Sequence, residues 1–106
     1  MSLEISTMLH LSTAHVTPDL AQALDRHVEI LRPLGTRCDP AQWQSHLVAE
    51  RWAEYGWFIW VGSGGRDRMP KPLQDCLNFA EALSVKWIQF DRDCEPVDEL
   101  PTYDWP

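Results

Sequence analysis

The chain lacks a membrane span, a cysteine framework and the short motifs that announce catalysis. Its longest apolar run, Trp57-Phe58-Ile59-Trp60-Val61, falls far short of the roughly 20 residues a spanning helix needs. No basic stretch followed by an apolar core opens the chain, so no secretory signal is read and a cytoplasmic location is expected. Cysteine is scarce and odd in number: Cys38, Cys76 and Cys94 make no CxxC pair and lie near no histidine. That excludes a disulfide framework and a zinc ribbon. The histidines, His10, His15, His27 and His46, form no HExxH pair, and there is no GxSxG elbow. Ser12 and His15 are neighbours in the chain, but nearness alone is not a catalytic geometry. No enzyme, cofactor or metal is expected from this inventory.

Basic residues are also few. Nine lysines and arginines face sixteen acids, for a net charge of −7. Such a surface repels a phosphate backbone, which argues against direct nucleic-acid binding. The imbalance is local. Residues 1–90 carry a net charge of −2, whereas residues 91–106 carry −5, with Arg92 the single base. The acids of this segment are Asp91, Asp93, Glu95, Asp98, Glu99 and Asp104. Spaced as they are, they do not make a calcium loop, because Pro96 and Thr102 stand where glycine and glutamate are required.

At 106 residues the chain is the size of one domain that can bury a core unaided. Residues 8–13 alternate, with Leu9 and Leu11 to one side, and read as a half-buried strand. Thr17-Pro18-Asp19 starts a helix whose face is Leu20, Leu24, His27, Val28 and Leu31, ended by Pro33 and Gly35. Asp39-Pro40 repeats the start signal. Trp43, Leu47, Val48, Trp52 and Tyr55 then share a helical face, with Gly56 as the stop. Trp57–Val61 is apolar on both sides and reads as a central, covered strand. A third helix is expected over 72–84 and a third strand over 85–90. These last elements fit a strand–helix–strand crossover. The expected fold is a single α+β or α/β domain in the order β-α-α-β-α-β. It has a three-stranded sheet, three helices and an acidic extended C-terminal segment over 91–106, which Leu100, Tyr103 and Trp105 could pin to the body.

Two features suggest function. Gly62, Gly64, Gly65, Arg66 and Arg68 form a loop between a strand and a helix, where backbone N–H groups can hold phosphate. It matches neither the P-loop nor the dinucleotide fingerprint, so a phosphate-type ligand there, in a small binding or enzymatic domain, is the alternative. The leading candidate combines the six tryptophans with the acidic segment. Aromatic anchors beside a negative rim suit protein recognition, and a partner with a basic surface would be steered in. Asp91, Asp93, Glu95, Asp98, Glu99, Asp104 and Trp105 are the expected contacts. Surplus tryptophans also allow a homo-oligomeric scaffold, and a toxin-neutralising protein has the same profile.

The blocks LSTAHVT (11–17), GWFIWVG (56–62), WIQFDRD (87–93) and LPTYDWP (100–106) resemble a family of small uncharacterised proteins carried by proteobacterial plasmids, integrative elements and prophages. The resemblance implies an accessory gene of a mobile genetic element. Such genes often encode inhibitors of host defence, including anti-restriction and anti-CRISPR proteins. Taken with the acidic segment and the absence of an enzyme motif, the expectation is a non-enzymatic inhibitor that blocks the nucleic-acid-binding surface of a defence protein.

Overall fold

The computed structural model describes residue 3, residues 5–31 and residues 49–105, and for 26–31 the backbone alone. The described elements are β1 (Met8–Ser12), α1 (Pro18–Leu31), β2 (Ala49–Trp52), β3 (Gly56–Trp60), α2 (Lys71–Ala82) and β4 (Trp87–Asp91). The strands form one mixed sheet in the order β1-β4-β3-β2. β1 runs parallel to β4, and β3 runs antiparallel to both β4 and β2. The domain is therefore α+β.

This corrects the expected three-stranded sheet with three helices. The helix read from Asp39 to Gly56 is overturned in its second half, since Ala49–Trp52 is an edge strand. Its first half, with Cys38, Trp43, His46, Leu47 and Val48, lies outside the described residues. Two local facts decide the matter. Ala53 adopts φ 45° in the turn 53–55, a left-handed value that a helix does not contain. Gly56 opens β3 rather than closing a helix. A Cβ there would lie 1.8 Å from the Phe90 carbonyl oxygen, so only glycine allows β3 to approach β4 at this point. The crossover reading is corrected too: β3 and β4 are antiparallel neighbours, and the parallel pair is β1 with β4.

Strand alternation sorts the residues into two faces. Leu11, Trp57, Ile59, Ile88 and Phe90 are buried with Leu20 and Leu24 of α1 and Leu73, Cys76, Leu77 and Ala80 of α2. Burying side chains of this size contributes about 1.5–3 kcal/mol each, which is the main stabilisation of the domain. β3 lies inside the sheet, but it is not equally covered on both sides. Trp60 remains 41% exposed, and Phe58 and Trp87 are half-buried. Trp52 packs on both Tyr55 and Phe58, with ring centroids 5.2 and 6.0 Å away. The indole of Trp60 lies over the following loop, where a Cβ on Gly62 would meet it at 2.9 Å.

Candidate protein-contact surface

β4 ends in a turn closed on the carboxylate and carbonyl of Asp91. The Asp93 amide donates to Asp91 Oδ1 (2.9 Å) and the Cys94 amide to the Asp91 carbonyl (3.1 Å). The Arg92 amide donates to the Tyr55 carbonyl (2.9 Å), and the Arg92 guanidinium sits 5.2 Å from the Tyr55 ring centroid. The chain then returns to the short 3-10 turn Thr13–His15, which follows β1. That turn holds the acidic segment through a series of bonds.

His15 is the centre of the attachment and is 1% exposed. Its Nδ1 lies 2.8 Å from the Pro101 carbonyl oxygen, and the Val97 amide donates to Nε2 at 3.0 Å. A carbonyl oxygen only accepts and an amide N–H only donates, so the ring is the neutral tautomer with its proton on Nδ1. Further along, the Tyr103 amide donates to the Ala14 carbonyl (2.9 Å), and Trp105 Nε1 donates to the Val16 carbonyl (3.1 Å). Leu100 is buried between these anchors.

This path places the expected contact residues. Asp93, Glu95, Asp98, Glu99 and Asp104 are exposed along the segment. Trp105 is 45% exposed although its indole nitrogen is bonded. Asp91 differs, being half-buried and committed to the turn. The six acids thus follow one fixed course rather than meeting at a point. Among the described residues, no group of three or more histidine, cysteine or acidic side chains is placed to hold a metal ion.

A groove of about 230 Å³ adjoins Trp105. In its wall Asp25 Oδ1 accepts from both Trp57 Nε1 (3.0 Å) and Arg51 Nη1 (2.8 Å). Sequence reasoning missed this cluster and the role of His15. The partners are separated by 26 to 86 residues, and no local pattern links them.

The glycine loop is bound into the body. Arg66 directs Nη2 to the Val61 carbonyl (2.8 Å) and Nη1 to Asn78 and Glu81 of α2. The amides of Ser63, Arg68 and Met69 bond to carbonyls of Trp60, Gly65 and Arg66. These groups thus serve the loop's own closure. Gly62 and Arg66 also line a shallow groove of about 340 Å³ with Trp60 and Lys86. Burial pushes the Cys76 thiol up to about 12, with the neighbouring Asp75 carboxylate adding to the effect. A thiol so placed is inert as a nucleophile.

A family model covers residues 8–105, from the start of β1 to Trp105. The chain belongs to the DUF5983 C-terminal domain family, a family of unknown function. Searches of curated proteins and of solved structures returned no match. The match takes in both the sheet and the acidic segment, so the segment is part of the DUF5983 domain and not an appendage to it. Among the described residues no helix is long and apolar enough to cross a membrane.

Proposed function

We propose that this DUF5983 domain is a non-enzymatic protein-binding module whose contact surface is the acidic segment 91–105. The observation that carries the reading is the fixed course of that segment. A segment serving only solubility needs no defined path. This one is tied down by four hydrogen bonds to residues 14–16 and by the buried Leu100. Holding like charges along one line costs repulsion, and here folding bears that cost before any partner arrives. Association then avoids the ordering cost of about 0.5–1.5 kcal/mol for each side chain otherwise immobilised on binding.

The partner that fits is a protein with a basic surface, drawn in by long-range attraction. Basic surfaces of this kind commonly serve nucleic acid, so the module would occupy the site of the phosphates. The narrower reading, an inhibitor of a host restriction or CRISPR protein in the cytoplasm, is supported by the resemblance of four sequence blocks to proteins of mobile genetic elements. The test is capture from a bacterial lysate at low and high salt, followed by association kinetics with the identified partner. Changing Asp93, Glu95, Asp98, Glu99 and Asp104 to their amides should slow association at least tenfold and flatten its salt dependence. Association that is indifferent to both changes would refute the electrostatic mechanism.

A further inference from the structure

We propose that His15 is a proton-sensitive clasp that releases the acidic segment when its Nε2 takes up a proton. The ring is sealed in, at 1% exposure, and both nitrogens are engaged by backbone groups of the segment: Nδ1 by the Pro101 carbonyl and Nε2 by the Val97 amide. Protonation places an N–H on Nε2, where an N–H already points at it. The bond to Val97 is then lost, two donors face each other, and a charge is enclosed. The docked segment and the imidazolium are therefore competing states. Acidification therefore drives the equilibrium toward release.

Ionisable groups on the elements adjoining the ring include Asp93, Glu95, Asp98, Glu99 and Asp104 on the segment, Lys71, Asp75, Cys76 and Glu81 on α2, and Asp19 and Asp25 on α1. The Cys76 thiol donates to the His15 carbonyl at 3.9 Å and does not charge on acidification, since burial holds it up at about 12. The carboxylates favour the imidazolium. Glu95, Asp98, Glu99 and Asp19 are exposed, so solvent screens them. The enclosed ring and the occupied Nε2 oppose the imidazolium directly. When the clasp opens, the bonds from Tyr103 to Ala14 and from Trp105 to Val16 lose their support, because they lie beyond it in the chain.

The clasp rests on the proposed function only for its consequence, which is that the contact surface is assembled near neutral pH and dissolved in acid. Release itself is read without any partner, so failure of the binding proposal leaves the clasp standing, and the reverse holds too. The experiment is nuclear magnetic resonance on the full chain between pH 8 and 5. It follows the His15 ring, the Val97 and Tyr103 amides, the Trp105 indole N–H and, as a reference, the Ile59 and Phe90 amides.

The expected result is a ring that begins with its proton on Nδ1. As it charges, Val97, Tyr103 and Trp105 should change with the same midpoint while Ile59 and Phe90 hold. Below the midpoint the released-to-docked ratio should rise by up to tenfold per pH unit. In His15→Gln the state of the segment should no longer depend on pH over this range. Two results would overturn the clasp: a ring that charges while Val97 and Trp105 keep their bonds, or a segment lost only together with the core amides. If the variant does not fold, the wild-type titration decides alone.

Discussion

Replacing Asp25 by alanine is a sharp test of how the packing around Trp57 is held. Asp25 Oδ1 receives both the Trp57 indole N–H and the Arg51 guanidinium. Trp57 is 6% exposed, so loss of the carboxylate leaves a largely buried N–H without its protein acceptor. An unsatisfied buried donor costs about 1–3 kcal/mol. The ion pair adds little, because the two side chains are 41% and 37% exposed and solvent screens them, leaving about 0.5 kcal/mol. Alanine regains about 0.5 kcal/mol of helix propensity. The net cost is then about 2 kcal/mol, or a melting temperature lower by about 10 °C for a domain of this size. Urea unfolding followed by tryptophan fluorescence measures it. Asp25→Asn keeps an acceptor and should lose less than about 1 kcal/mol. A double-mutant cycle with Trp57→Phe should return a coupling of about 1 kcal/mol. Equal losses for the alanine and asparagine variants, with no coupling to Trp57, would refute the reasoning.

Gly56→Ala should be among the most damaging small changes in the chain. Its Cβ meets the Phe90 carbonyl oxygen at 1.8 Å, so β3 and β4 must part, at a cost of about 3 kcal/mol or more, read by thermal unfolding. Leu100→Ala should cost about 2 kcal/mol and lower hydrogen-exchange protection at Val97 and Tyr103 before that of Phe90. Cys76 should resist thiol reagents at pH 8 in the native state and react only on unfolding. Its thiol stays protonated up to about pH 12 when folded, against 9.0 as the ordinary value. The unfolded chain therefore releases a proton first, so stability is complete below pH 9.0 and declines as pH rises toward 12. The decline is at most about 1.4 kcal/mol per pH unit, and Cys76→Ala should remove it.

Local chemistry carries much of this fold. The alternation of Leu9 and Leu11 marks β1, the Thr17-Pro18-Asp19 start marks α1, and the apolar face from Leu73 to Ala80 marks α2. The strand β2 was hidden because Val48, Trp52 and Tyr55 recur at helical spacing. The choice between helix and hairpin was made elsewhere, by a close approach of Gly56 to Phe90. Pairing partners so distant leave no periodic trace. The acidic segment was legible as charge, and its hold on the body was suggested by Leu100, Tyr103 and Trp105. That His15 would grip it at both ring nitrogens was not, since the contacts span 82 and 86 residues. Arg66 reads as a ligand-binding cation in sequence, but in the fold its donors reach Val61, Asn78 and Glu81.

The most direct test of the central claim is a side-by-side capture from bacterial lysate at low salt. It compares the native chain with the variant in which Asp93, Glu95, Asp98, Glu99 and Asp104 are amides, after both are shown to keep the Trp105–Val16 bond. The native chain should retain a basic protein, high salt should release it, and the variant should not retain it. Retention of the same protein by both chains, unchanged by salt, would contradict it.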